Sequence, residues 1–351
     1  MSIQFREFVK KIGSGNNTGK DLSRSEAKQA MQLLLTHNAT PAQIGAFLIA
    51  HRIKRPTAEE LAGMLDAWEQ FSYRLPPLDT STSNPLVVLG SPYDGRSRHS
   101  PISPVTGLIL AVAGFPVLLH GSDRLPTKYG LPLRDLWQEL GIPWHSLSPD
   151  QVHAILQQTN LGFAYMPKFC PAFHALVPYR EEIGKRPPLA TLELIWSPYQ
   201  EQQILLSGFV HPPTEAVMSE TFALRGIAHY ATLRGLEGSV DLPIARVSVI
   251  GRHLPNTGWQ RITLHARNYD LGGDDPKLTT AHAIAQEISA TLEGKMSDYT
   301  KAVVWNGAIA LWLCNKCPDL ETGIAAVQEY LKQGLVADKL AQISQLVRQI
   351  N

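Results

Sequence analysis

The sequence predicts an α/β fold: a helical N-terminal domain followed by a mainly parallel-sheet domain. Three observations carry this. The first seventy residues hold three capping boxes, Ser23-x-x-Glu26, Thr40-x-x-Gln43 and Thr57-x-x-Glu60. A proline- and serine-rich connector, RLPPLDTSTSNP at 74–85, follows as a hinge. Beyond it, short apolar runs alternate with helical patterns, the signature of parallel strands covered by helices.

In chain order, apolar spacing supports each N-terminal helix. Ala27, Met31, Leu34 and Leu35 form one stripe; Ile44, Phe47 and Leu48 a second; Leu61, Leu65 and Trp68 a third. Pro41 sits at the first helical position behind Thr40, where its missing N–H costs nothing. Strands are expected at Leu86–Leu89, Pro116–Leu119, Gly162–Met166, Ile204–Val210, His229–Leu233, Val247–Ile250 and Arg261–His265. A buried helix is expected over Val105–Ala113, and helices dominate from Thr280 onward. The proline-rich stretch 167–188 interrupts the sheet pattern and reads as a return to the helical domain. The expected division is 1–75 helical, with 168–190 returning to it, and 86–167 plus 191–351 as the α/β domain.

The 351 residues are 44% hydrophobic and 18% charged, with a formal net charge of +1. That suits a soluble protein with an ample core and excludes a polyelectrolyte; any nucleic-acid site must be a local patch. No apolar run is long enough to span a bilayer, and the first residues lack the apolar core of a signal peptide, so a cytoplasmic protein is expected. Cys314 and Cys317 form a C-x-x-C without the two further ligands zinc needs, and read as a helix-end core pair.

The turn after the first expected strand is the most informative segment. In a parallel sheet such a turn is where anionic ligands bind, on small residues and free backbone N–H groups. Here Gly90 and Gly95 bracket Pro92 and Tyr93. Proline donates no N–H, and tyrosine blocks close backbone approach. Arg96, Arg98 and His99 follow at once, and Arg124, Lys128 and Arg134 follow the second strand. A phosphate would be held there by side chains rather than by a backbone cradle.

Several segments resemble the anthranilate phosphoribosyltransferase family. Gln43-Ile44-Gly45-Ala46-Phe47-Leu48-Ile49-Ala50, with Lys54, Thr57, Glu60 and Gly63, is similar to that family's second and third helices. Cys170-Pro171-Ala172 and Val177-Pro178-Tyr179-Arg180-Glu181-Glu182-Ile183-Gly184-Lys185-Arg186 resemble its HPAM…PVRxELGxR stretch. Gly235-Leu236-Glu237-Gly238-Ser239-Val240-Asp241 stands where the family has GxDGLDE, and Asn306 to Leu311 resembles its NAAxAL helix. The resemblance implies the family's nucleoside phosphorylase/phosphoribosyltransferase class of fold.

The family joins anthranilate to phosphoribosyl pyrophosphate, and its three devices are altered here. Its GTGGD loop reads Gly90-Ser91-Pro92-Tyr93-Asp94, and its NIST reads Pro101-Ile102-Ser103-Pro104. Its KHGNR reads Leu119-His120-Gly121-Ser122-Asp123-Arg124, losing the lysine that meets phosphate. Its magnesium-holding Asp-Glu pair reads Val240-Asp241, so Asp241 is a vestige and no metal is expected. The resemblance leaves Gly90, Pro92, Tyr93, Asp94, Ser103 and His120 as a degenerate donor site and Arg180 as the counterpart of the anthranilate-contacting arginine.

Pro92-Tyr93-Asp94-Gly95-Arg96, Gly114-Phe115-Pro116-Val117 and Ile12-Gly13-Ser14-Gly15-Asn16 are similar to the YbiB-like branch of the family. That likeness implies a homodimer, paired through the N-terminal helices, that binds nucleic acid with little sequence preference. The expected groove is Arg96, Arg98, Arg124, Lys128, Lys168, Lys185 and Arg186 on loops near the site, with Arg96 and Arg98 expected to be exposed; Tyr93, Trp196 and Tyr199 offer stacking faces there, although each taken singly reads better as a core or rim aromatic. The alternative is an active anthranilate phosphoribosyltransferase or a related glycosyl or phosphoribosyl transferase, in which Arg180, Asp94, Ser103 and His120 form a small-molecule pocket. Magnesium enters only with that alternative.

Overall fold

The protein is described from a computed structural model, covering residues 2–15, 18–79 and 84–350. Four helices come first: α1 (Ile3–Gly13), α2 (Arg24–Leu35), α3 (Pro41–Lys54) and α4 (Ala58–Gln70). All three capping boxes form as expected, each with its reciprocal pair of hydrogen bonds. α1 packs on α3 and α2 on α4. The α2–α4 crossing is close because Gly63 allows it: a Cβ there would lie 2.1 Å from the Arg24 carbonyl. The connector expected at 74–85 lies partly outside the described residues.

Glu60 closes the third capping box and also anchors this region. Its carboxylate is fully buried and accepts from the backbone N–H groups of Leu22 and Thr57 at 2.9 and 2.8 Å and from Lys54 Nζ at 2.8 Å. Burial alone would raise its pKa, but His51, Lys54 and the Leu22 N–H outweigh it and bring it down to about 2. A folded pKa below the unfolded value contributes stability above the unfolded value, near 4.5. That contribution is lost as pH falls through the folded pKa. Urea unfolding of wild type and Glu60→Gln at pH 7 and pH 3 should show a gap on the order of 2–3 kcal/mol at neutral pH that narrows in acid.

The sheet has seven strands: β1 (Leu86–Leu89), β2 (Val117–Gly121), β3 (Leu161–Tyr165), β4 (Gln203–Gly208), β5 (Tyr230–Leu233), β6 (Ser248–Leu254) and β7 (Gly258–Leu264), in the order β3-β2-β1-β4-β5-β6-β7. The first five pair in parallel, and β6 and β7 add an antiparallel hairpin at one edge. β1 and β2 are buried throughout, as a strand covered on both faces requires. The hairpin strands run longer than their apolar runs predicted. The Leu254–Gly258 turn, with Gly258 at φ 70°, lets half-exposed residues continue the ladder.

Helices cover both faces: α5 (Ser103–Val112), α6 (Leu133–Glu139) and α7 (Pro149–Thr159) precede β3. After β3 come α8 (Met166–Phe169), α9 (Pro171–His174), α10 (Val177–Glu182) and α11 (Leu189–Ile195). Then follow α12 (Pro212–Leu224), α13 (Ala281–Leu292), α14 (Asp298–Leu313), α15 (Leu320–Lys332) and α16 (Leu335–Ile350). The α8–α10 segment reaches back to the first four helices. Tyr73 donates its N–H to the Phe169 carbonyl at 2.7 Å, Trp68 stacks on Phe173 with ring centroids 3.7 Å apart, and α10 packs on α3. Cys314 and Cys317 are both buried free thiols. Among the described residues no helix is long and apolar enough to cross a membrane.

Candidate functional site

The carboxyl ends of β1, β2, β4 and β5 open toward one mouth, the usual ligand position of a parallel sheet. The β1–α5 loop crosses it. Gly90 is required there, because a Cβ would lie 2.2 Å from the Leu194 carbonyl. The next residues fill the cradle rather than open it. Tyr93 is 2% exposed, and its hydroxyl lies 2.9 Å from His120 Nδ1. His120 is fully buried, and desolvation pushes its pKa down to about 3, so it is neutral. Its ring meets Tyr93 and Trp196 edge-on, and Trp196 stacks on Trp68. An aromatic column thus runs from the mouth into the N-terminal helices.

Arg96 corrects the sequence expectation most sharply. Its place in a basic loop predicts an exposed groove residue, yet it is 3% exposed. Its NH1 donates to Asp241 Oδ2 at 2.9 Å and to the Ser239 hydroxyl, and its Nε lies 3.6 Å from Glu237. Asp241, itself buried, also accepts the Ile102 N–H at 3.1 Å. Ile102 is the N-cap of α5 and has no side-chain acceptor, so Asp241 caps that helix from across the mouth. Ser103, at the first turn of α5, is buried.

The residues present do not fit the magnesium ion that the family resemblance implies. Val240 supplies no oxygen, and the remaining acid, Asp241, already holds a guanidinium on Oδ2. A divalent ion there would face a positive charge at contact distance in a desolvated site.

Glu237 and Ser239 are the site residues that the sequence reading missed. The Glu237 carboxylate accepts the backbone N–H groups of Ser97, Arg98 and His99 and pairs with Lys128. Burial would raise its pKa, but the Lys128 hydrogen bond, the Arg98 N–H and the Arg96 charge hold it well below the usual carboxylate range. The available signal was an acid between two glycines, Gly235-Leu236-Glu237-Gly238, opposite a basic loop.

Arg180 is also corrected. It is buried against the fully buried Glu193, to which its NH1 donates, rather than open to a small molecule. Burial raises the Glu193 carboxyl, and the Arg180 charge pulls against it. Asp94 is buried and 3.5 Å from Arg186 Nε. The small-molecule pocket expected from Arg180, Asp94, Ser103 and His120 is therefore four buried side chains, two of them in ion pairs.

The other basic residues divide. Lys128 pairs with Glu237 at 2.5 Å and donates to the Gly95 carbonyl, so it is no free groove cation. Lys168 is half-buried and donates to the Ser146 carbonyl at 2.6 Å. Arg98 and Lys185 are exposed, and Arg124 is exposed with Asp135 at 3.2 Å. Tyr93, Trp196 and Tyr199 are all buried, which is the core reading and leaves none of them as a stacking face. The exposed tryptophan is Trp259 on β7, with the Arg261 guanidinium 4.9 Å from its ring centroid.

Comparison with known proteins agrees with this architecture. Residues 6–71 match the helical bundle domain of a glycosyl transferase family, and residues 95–337 match its α/β domain. An anthranilate phosphoribosyltransferase of Afipia carboxidovorans is 30% identical over 347 residues, 97% of each chain. One from Dehalococcoides mccartyi is 29% identical over 93% of this chain and 95% of its own. Among solved structures, the Thermus thermophilus anthranilate phosphoribosyltransferase superposes with a TM-score of 0.77 at 23% identity, covering 97% of this chain and 99% of its own. The Saccharomyces cerevisiae enzyme in complex with PRPP and Mg gives 0.83 at 16% identity, covering 99% of each chain. At these identities the structures show a shared fold. The matched domains and the Afipia relative, spanning nearly the whole chain, place this protein in the anthranilate phosphoribosyltransferase family of glycosyl transferases.

Proposed function

We propose that the chain is a noncatalytic member of this family, of the YbiB-like kind, that binds nucleic acid as a homodimer with little sequence preference. The observation that carries the noncatalytic part is Arg96 on Asp241: the acid left at the family's metal position is neutralised by the protein's own cation. Tyr93 supports it by filling the loop where a diphosphate would approach the backbone. With neither metal nor open cradle, transfer of phosphoribose loses its main electrostatic stabilisation. The nucleic-acid part rests on cations that remain exposed around the mouth, Arg98, Arg124 and Lys185. Sequence-independent affinity comes from such phosphate contacts.

Two assays on one pure protein test this reading. Phosphoribosyl transfer to anthranilate, with magnesium present, should be undetectable; turnover near 1 per second would restore the transferase reading suggested by the curated relatives' names. Duplex DNA should be retained at low salt, with affinity falling as salt rises. The triple change Arg98→Ala, Arg124→Ala and Lys185→Ala should flatten the log–log slope by about 0.9 per lost contact and weaken all sequences alike. No retention by wild type at low salt would dispose of the nucleic-acid role.

The dimer is proposed through α1 and α3, which carry Ile3 and Ile53 at 67% and 66% exposure. These two stand at opposite ends of the helix pair, since Ser2 bonds Gln43 and Gly13 packs near Ala50, so each anchors one end of the face offered to a partner, and the pairing itself rests on the family likeness. Sedimentation at micromolar concentration should give a dimer for wild type and a monomer for Ile53→Lys. A monomeric wild type would contradict this.

A further inference from the structure

β7 ends the strand order and is an open sheet edge. The opposite edge, β3, is buried along most of its length, whereas Trp259, Gln260, Arg261 and Thr263 of β7 are exposed. The ladder fixes which backbone groups of β7 are free. Arg234 donates its N–H to the Val249 carbonyl at 2.9 Å, so Val249 faces β5. Successive residues of an antiparallel strand bond to alternate sides. Arg252 therefore faces β7 and bonds Gln260, its partner in the register, while Trp259, Arg261 and Thr263 aim their N–H and C=O groups outward. Among the described residues no strand or loop meets those groups.

Native edge strands are commonly guarded by proline, lysine, a bulge or a covering loop. β7 holds no proline or lysine, and its register with β6 runs unbroken from Ser248↔Leu264 to Leu254↔Gly258. Its one charge, Arg261, is met by Glu215 at 2.6 Å. The Trp259 indole leaves the edge clear because it lies over Gly251, where a Cβ would come 3.0 Å from its Nε1. Trp259 is 44% exposed, and its ring already takes the Arg261 guanidinium at 4.9 Å from the centroid.

We propose that β7 pairs antiparallel with β7 of a second copy of this chain, about a two-fold axis through Gln260. In that register Trp259 falls opposite Arg261 of the second copy, and Arg261 opposite its Trp259. Both are residues whose backbone groups point outward, so each pair exchanges two hydrogen bonds. The cation–ring contact made along one strand is then offered again across the edge. Gln260 meets Gln260 at the axis, amide to amide. An axis through Arg261 would instead set two guanidinium groups against each other, which like charges disfavour. A contact over residues 258–262 is far short of the roughly 20–30 residues a side of a standard interface, so the pairing is weak, on the order of 0.1–1 mM.

This contact goes beyond the functional reading above and involves neither α1 nor α3. At the axis the two Gln260 Cα atoms would lie about 4.5 Å apart, as in any pair that does not exchange hydrogen bonds. That separation suits a disulfide. Gln260→Cys, oxidised with oxidised glutathione at about 0.1 mM protein, should therefore form a covalent dimer at least tenfold faster than Asn256→Cys. Both positions are exposed on the same hairpin, and the natural cysteines are buried. Adding Trp259→Lys, which sets a lysine opposite Arg261 of the second copy, should bring the Gln260→Cys rate down to that of Asn256→Cys. The rate advantage should persist with Ile53→Lys, which separates this edge from the helix contact. Equal rates for Gln260→Cys and Asn256→Cys overturn the proposal and leave the edge to a strand from another protein. An advantage that survives Trp259→Lys, or is lost with Ile53→Lys, overturns it as well.

Discussion

Replacing Arg96 with methionine should cost about 3–5 kcal/mol of stability, measured by urea unfolding at neutral pH. Removing one partner of a buried ion pair leaves the others desolvated without compensation. Here the loss falls on two acids, Asp241 and Glu237, which are both buried at the side chain. Asp241 would still accept the Ile102 N–H, and Glu237 would keep Lys128 and three backbone donors, so Asp241 bears most of the cost. Arg96→Lys keeps the charge but not the fork that spans Ser239, Asp241 and Glu237, and should recover only part of the loss. A loss under about 1 kcal/mol would mean that Arg96 is solvated and the mouth open, as a groove residue would be.

Arg180→Met should be comparably destabilising, again about 3–5 kcal/mol, because it strands Glu193 at full burial. The informative comparison is the double variant Arg180→Met with Glu193→Gln. The glutamine is neutral, and its carbonyl still accepts the Tyr93 N–H that Glu193 accepts at 3.3 Å. The double variant should therefore regain most of the loss, giving a coupling energy of several kcal/mol in the cycle. If Arg180 instead served a ligand in an open pocket, the single change would leave stability nearly untouched, and the cycle would show no coupling.

Both expectations depend on long-range pairing that one sequence does not reveal. Arg96 and Asp241 are 145 residues apart, and Arg98 and Glu237 are 139 apart. Read linearly, Arg96, Arg98, Arg124 and Lys128 look like one basic groove. In the folded chain Arg96 and Lys128 converge on acids contributed by the segment after β5, and only Arg98 and Arg124 stay exposed. Charge type is local information; charge compensation is not. The lone Asp241, left beside Val240, was the one hint that some cation had to come to it.

What the sequence alone determined was everything that rests on near neighbours. The three capping boxes act over three residues, and each formed. The apolar runs located the five parallel strands, because a strand covered on both faces must be apolar whatever its partners, and marked the place but not the length of the half-exposed edge hairpin. The departure of the phosphate loop from glycine was likewise plain at Pro92 and Tyr93. The tertiary structure alone decided what those departures meant. It turned Tyr93, Trp196 and Tyr199 inward as core and buried Arg180 on Glu193. It also brought Glu237 into the loop's own amides. Burial and pairing are properties of surfaces meeting in space, and they reverse the reading of a charged or aromatic residue without changing its place in the chain.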